Sequence, residues 1–274
     1  MSQDIAGVLE GWDFDPHELN VRIIKGDDQQ EKIQMRIDLG LIQMSLYGRP
    51  DGQRPFGYES VFAYYLHEAE SYGDGYTISG DALEELFREG LQYYHRYLCL
   101  FHLANYELVV RDTERNISMF QFVLEHAKKR RDQWRFDQYR PYVLMMNTRA
   151  KAMLALENHE VPKAIEEIEE GCERIRDFLD HYGRNEEECF ELDFLQRWGE
   201  ELKTSGRAVD PEMEVIARAE SRAARGNTAR DPDLDSLRIQ LAQAIEREEY
   251  ERAAVIRDRI KRMEKDQREN ETAE

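Results

Sequence analysis

With 274 residues, 41% of them hydrophobic, the chain is long enough for one sizeable core plus an appendage, or for two modest domains. Its net charge of -19 is uneven: residues 1–216 hold 25 Lys and Arg against 43 Asp and Glu, a balance of -18, whereas residues 217–274 hold 13 against 14. Nucleic-acid backbones bind through clustered Lys and Arg, so the acidic body is a poor nucleic-acid surface, and the mean hydropathy of -0.77 with no apolar run near membrane-span length argues against a transmembrane class.

The first regular element is a β region over residues 19–47. Val21 and Ile23 alternate with Arg22, and beyond the turn-forming Lys25, Gly26, Asp27 and Asp28 the residues Ile33, Met35, Ile37 and Leu39 alternate with polar ones. This pattern predicts a β-hairpin with one buried face. At Gly40 the phase slips, and the apolar set continues as Ile42, Met44 and Leu46, which fits a bulge or a strand break. Arg49, Pro50, Asp51 and Gly52 form a turn signal. A lone hairpin is marginal in water, so this one is expected to lie on the helices that follow.

From residue 58 to about 203 the periodicity is helical. Asp81, Ala82, Leu83 and Glu84 have the spacing of a capping box, opening a helix whose face includes Leu83, Leu86, Phe87, Leu91, Tyr94 and Leu98. Further helices are expected at 115–130, 134–156, 161–181 and 186–203, with breaks at Asn158 and Gly183. His95, Cys99 and His102 follow at steps of four and three on one helix face, a spacing open to a transition metal; their aromatic neighbours equally suit buried, hydrogen-bonded core residues. Acidic runs such as Glu166 and Glu167, or Glu186, Glu187 and Glu188, read as solvated faces.

Residues 204–230 are interrupted by Gly206, Pro211, Gly226 and Asn227 and read as a linker around a short helix. Arg218, Arg222, Arg225 and Arg230 make a basic stretch there, open to solvent, to a polyanion or to the acidic body. Residues 231–268 then read as a two-helix hairpin. Leu234, Leu237, Leu241, Ala244 and Ile245 form one apolar stripe, and Tyr250, Ala253, Ala254, Ile256 and Ile260 form the second after a break at Arg247, Glu248 and Glu249. The alanine pair permits close approach, and Tyr250 can seal the open end. Residues 269–274 are a polar tail expected to fray.

The hairpin pattern, Leu237, Leu241, Ala244, Ile245, Glu249, an aromatic at Tyr250, Glu251, Ala253, Ala254, Arg257, Asp258 and Ile260, resembles the UVR motif shared by the UvrB and UvrC subunits of the bacterial excision nuclease. Family members usually carry phenylalanine where Tyr250 stands. The resemblance implies pairing with another copy of the hairpin, hence self-association or capture of a partner carrying a UVR-like hairpin, with Arg257 and Asp258 setting register. So small a burial falls short of its ordering entropy, which independently calls for a docking surface. Ala155, Leu156, Glu157, Glu160, Val161, Lys163 and Ala164 echo the hairpin at an offset of 89 and resemble a tetratricopeptide-type helix pair. The rest of the body resembles no other family.

Enzyme signatures are not evident. No glycine-rich loop ends in Lys and Ser or Thr, no nucleophile elbow occurs, and no paired two-cysteine zinc motif is present. The expectation is a mainly α protein: an N-terminal β-hairpin region at 1–57 packed on a helical body at 58–203, followed by a tethered UVR-like hairpin. Its expected role is a non-catalytic interaction or adaptor protein without a cofactor. The alternatives are an accessory factor of excision repair and a metal-binding enzyme in the helical body. Three scattered cysteines, Cys99, Cys172 and Cys189, and no leader pattern point to the cytoplasm.

Overall fold

The alternating run folds as three strands in the computed structural model, which describes residues 4–16 and 18–205. After a short helix α1 (Ala6–Leu9) come β1 (Val21–Lys25), β2 (Glu31–Ile37) and β3 (Gly40–Ser45), antiparallel in the order β1-β2-β3. The expected β-hairpin is thus corrected to a three-stranded meander. Ile37 pairs with Gly40, so Asp38 and Leu39 alone reverse the chain, and the phase slip at Gly40 is a second hairpin turn.

Burial on the sheet also departs from the alternation. Ile33, Met35 and Met44 are 0%, 8% and 4% exposed, but Ile23 and Ile37 remain 41% and 42% exposed and Leu39 91%. Ile23 lies on the edge strand and Leu39 at a turn tip, where the pleat directs side chains without supplying cover. On the opposite face Arg22, Gln34 and Gln43 stand in one cross-strand row. Arg22 Nε donates to Gln34 Oε1 at 2.8 Å and Gln34 Nε2 to Gln43 Oε1 at 2.9 Å, which satisfies a glutamine that is almost fully buried.

Seven helices follow: α2 (Val61–Tyr72), α3 (Asp81–His102), α4 (Tyr106–His126), α5 (Arg130–Asp137), α6 (Arg140–Glu157), α7 (Val161–Tyr182) and α8 (Phe190–Ser205), the count being of the described residues. The helix expected at 115–130 begins earlier, at Tyr106. The one expected at 134–156 is two, because Pro141 fits a first helical turn but not an interior. The one expected at 186–203 yields its start to a 3-10 turn, Glu186–Glu188, held by the Asn185 side chain. Helix α3 starts at Asp81 as the spacing suggests, but the capping box does not form. Gly80 is the N-cap residue and Glu84 pairs instead with Arg135, Oε2 to Nη2 at 2.9 Å.

Three helices end the same way. Ala104, His159 and Gly183 take left-handed φ values of 55°, 62° and 61°. In each case the next amide reaches back five residues: Asn105 to Leu100 at 2.8 Å, Glu160 to Ala155 at 2.8 Å, Arg184 to Leu179 at 2.8 Å. This is the Schellman pattern, which uses carbonyls the helix leaves unpaired. Two of these ends close antiparallel hairpins, α3 with α4 and α6 with α7. The internal echo falls on the second, where Ala155 and Ala164 are 2% and 0% exposed and let the helices approach.

Helix α6 is the central one, packed by α4, α7 and α8 and buried around most of its circumference. Gly171 of α7 makes room for it: a Cβ there would lie 2.1 Å from Thr148 Oγ1. One core cluster joins Val61, Phe62, Leu86, Phe120, Phe136 and Val143 beneath α2. Trp198, Leu195, Ile175 and Ile168, all fully buried, fill the space between α7 and α8. Among the described residues no helix is long and apolar enough to cross a membrane.

Candidate interaction surface

The residues that hold α2 in place come from a face of α3 that contains charges. Leu86, Glu89, Tyr93, Arg96 and Leu100 recur at steps of three and four, and all five are buried. Of the face expected from apolar spacing alone, Leu83 and Leu86 are buried, whereas Phe87, Leu91, Tyr94 and Leu98 are only partly buried, so beyond Leu86 the inward face is rotated from the expected one.

Glu89, 0% exposed, acts as the anionic cap of α2. Its Oε2 accepts from Val61 N at 2.7 Å and its Oε1 from Phe62 N at 3.0 Å, while Ser60 Oγ accepts from Ala63 N at 2.9 Å. These satisfy the first three amides of the helix and place negative charge at its positive end. Arg115 of α4 pairs with the same carboxylate, and Arg49 Nε lies 3.1 Å from it. Arg115 also sits 4.2 Å above the Tyr93 ring and 5.2 Å from that of Phe62. Burial pushes the Arg115 pKa down from the usual arginine value, with Glu89 opposing.

A second carboxylate anchors the sheet. Arg96 grips Asp112 through two hydrogen bonds of 2.7 and 2.9 Å and donates to Ser45 O at 2.9 Å and Gly48 O at 2.7 Å. Arg111 donates to Asp112 Oδ1 at 2.9 Å and to Leu46 O at 3.1 Å. The end of β3 is thereby clamped to α3 and α4. Both carboxylates are engaged by guanidinium groups, and the backbone atoms these groups bind belong to the fold, so the constellation works as a staple.

Held at one end in this way, α2 rests Tyr65 and Ala69 against the core and exposes Leu66, His67, Glu70, Ser71 and Tyr72. Among its residues only Val61 and Phe62 are buried. A band of rings runs along it: Phe56 and Tyr64 have centroids 4.3 Å apart, Tyr58 and Tyr64 5.5 Å, Tyr58 and His67 5.3 Å, Tyr64 and Tyr65 5.1 Å, Tyr72 and Tyr76 5.9 Å. Phe56 and Tyr72 are 60% and 72% exposed. Carboxylates punctuate the band: Tyr65 donates to Glu85 Oε2 at 2.8 Å, and burial followed by Glu68 raises the Tyr64 pKa. The sequence reading passed over this band. The signal was aromatic density, since seven of the chain's 14 Tyr and 11 Phe fall within residues 56–76.

His95, Cys99 and His102 share α3, but the structure does not gather them as ligands. Cys99 is buried and His102 exposed, and among the described residues no group of three or more His, Cys, Asp or Glu is placed to hold a metal. Burial lowers the His95 pKa, a hydrogen bond to the Leu91 backbone opposing it. The expected contact residues Leu237, Leu241, Ala244, Ile245, Tyr250, Ala253, Ala254, Arg257, Asp258 and Ile260 lie outside the described residues, as do the hairpin at 231–268, the tail and nearly all of the linker.

No curated protein and no solved structure matches the chain. Residues 234–266 match the UVR family, described as the UvrB/uvrC motif, and this stretch contains every contact residue expected of the hairpin.

Proposed function

We propose that this protein is a non-catalytic adaptor that joins a partner carrying a UVR-like hairpin, or a second copy of itself, through residues 231–268. The observation that carries the reading is the family match at 234–266. The body lends support: the buried carboxylates Glu89 and Asp112 serve to fasten α2 and β3. Apolar contact falls to Leu237, Leu241, Ala244, Ile245, Tyr250, Ala253, Ala254 and Ile260, with Arg257 and Asp258 selecting register by charge.

The test is affinity capture with the full chain against the double variant Tyr250→Asp, Ala254→Asp, with light scattering on both. Loss of the captured partner or of dimeric mass supports the proposal. Unchanged mass together with unchanged capture would sink it. A second reading, an accessory factor of excision repair, is favoured by the description of the matching family as the UvrB/uvrC motif. Purified UvrB and UvrC serve as bait for that reading, and it fails if the wild-type chain retains neither.

A further inference from the structure

We propose that the surface formed by Phe56 and Tyr58 of the turn before α2, with Tyr64 and Glu68 of α2, docks an arginine-bearing segment of a partner protein. This surface lies in the body and does not depend on the UVR reading. Aromatic side chains at a surface normally scatter singly, whereas here the exposed Phe56 and the half-buried Tyr58 and Tyr64 make one continuous cluster with 4.3 and 5.5 Å between ring centres.

Charge selects the partner. Residues 54–76 carry Arg54 against Glu59, Glu68, Glu70 and Asp74, and Glu85 approaches from α3 through Tyr65. A purely apolar partner would leave these carboxylates desolvated, and an anionic one would be repelled. A guanidinium can stack on a ring face and donate to a neighbouring carboxylate at once, which a neutral side chain cannot. The protein makes this double contact itself, where Arg135 lies 4.5 Å over the Phe87 ring and donates to Glu84, and it stacks guanidinium groups on other rings, Arg22 over Trp12 at 4.0 Å, Arg149 over Phe101 at 4.4 Å and Arg184 over Trp134 at 4.6 Å. Among the described residues no such contact covers Phe56, Tyr58 or Tyr64.

The backbone at Phe56 adds to the case. Phe56 has φ 54° and ψ 17°, Gly57 has φ 83°, and Tyr58 N donates to Pro55 O at 2.9 Å, a type I′ turn. Asparagine or glycine suits the first central position, and a phenylalanine there is strained. The strain sets a largely exposed ring against Tyr64, where it contributes little to the core.

The probe is a fluorescein-labelled peptide of alternating arginine and glycine, titrated by anisotropy with the full-length protein at low salt. Saturable binding is expected, and Phe56→Ala with Tyr64→Ala should weaken it roughly fivefold to thirtyfold. Glu68→Gln should weaken it and flatten its salt dependence. Glu166→Gln with Glu167→Gln, the same kind of charge loss on α7, should change it within about twofold. The variant Tyr250→Asp, Ala254→Asp should bind like the wild type, which separates this surface from the hairpin. Phe56→Ala alone, at an exposed position, guards against a folding defect in the double variant. Absence of saturable binding overturns the proposal, as does equal affinity of the aromatic variants, or an α7 effect as large as that of Glu68→Gln. Sedimentation with phosphatidylcholine vesicles that depends on Phe56 and Tyr64 also overturns it, by assigning the face to lipid.

Discussion

Replacing Glu89 with alanine removes the acceptor of two backbone amides and the anion facing two arginines in one step. Val61 N and Phe62 N lose bonds of 2.7 and 3.0 Å, Arg49 loses an ion pair of 3.1 Å, and Arg115 its direct carboxylate partner. Loss of a helix cap alone costs about 1 kcal/mol. Breaking a buried ion pair from one side costs about 3–5 kcal/mol, because the surviving charge stays desolvated. The two effects share one carboxylate and do not add, so Glu89→Ala should lower stability by about 3–5 kcal/mol. Urea denaturation followed by circular dichroism reads this as a reduced midpoint. Hydrogen exchange should locate the change, with the amides of Val61, Phe62 and Ala63 losing protection before those of α6. Because α2 is buried only at Val61 and Phe62, its release should also open a proteolytic site. A loss below about 1 kcal/mol would refute the assignment of Glu89 as the cap that fastens α2.

Other contacts yield independent tests. Gly171→Ala drives a methyl to 2.1 Å from Thr148 Oγ1 and 2.5 Å from its Cγ2, so it should cost about 1–3 kcal/mol, and Thr148→Ala should restore part of that; additive losses in thermal melts would contradict the α6–α7 packing. Ala104→Gly relieves a left-handed alanine and should stabilise by about 0.5–1 kcal/mol, whereas Gly183→Ala at φ 61° should destabilise by a similar amount; the same sign for both would refute the shared helix ending. Burial, with the Glu191 carboxylate adding, pushes the Cys189 thiol up to about 12, above its ordinary value of 9.0. The folded state therefore holds this proton more tightly than the unfolded chain, and the associated stability is complete below about pH 9 and lost as pH rises toward 12. Cys99, Cys172 and Cys189 are all buried, so native protein at pH 8 should show no fast reaction with Ellman's reagent; one rapid equivalent would contradict that burial.

Local patterning made much of this molecule legible. Alternation marked the β region, steps of three and four marked helices, and Asn158 and Gly183 ended α6 and α7 where polar and glycine residues suggested. The family pattern at Leu237, Tyr250, Ala253 and Ala254 was readable because its residues are close in sequence, and the match at 234–266 covers them. What escaped were positions whose chemistry depends on distant neighbours. Glu89 and Arg96 are charged residues on a helix, which by composition alone belong in water. They are buried because Arg115, Asp112 and the backbone of residues 45–62 come to meet them.

The sequence by itself determined the kinds of element over most of the described residues, the acidic balance of residues 1–216 and the match of residues 234–266 to the UVR motif, because each is carried by residues close together in the chain. Only the tertiary structure decided that the β region is a three-stranded sheet clamped by Arg96, that the inward face of α3 carries charge, and that Phe56, Tyr58 and Tyr64 meet in one cluster at the start of α2. Periodicity reports which side chains share a face; which faces are covered is settled by what packs against them.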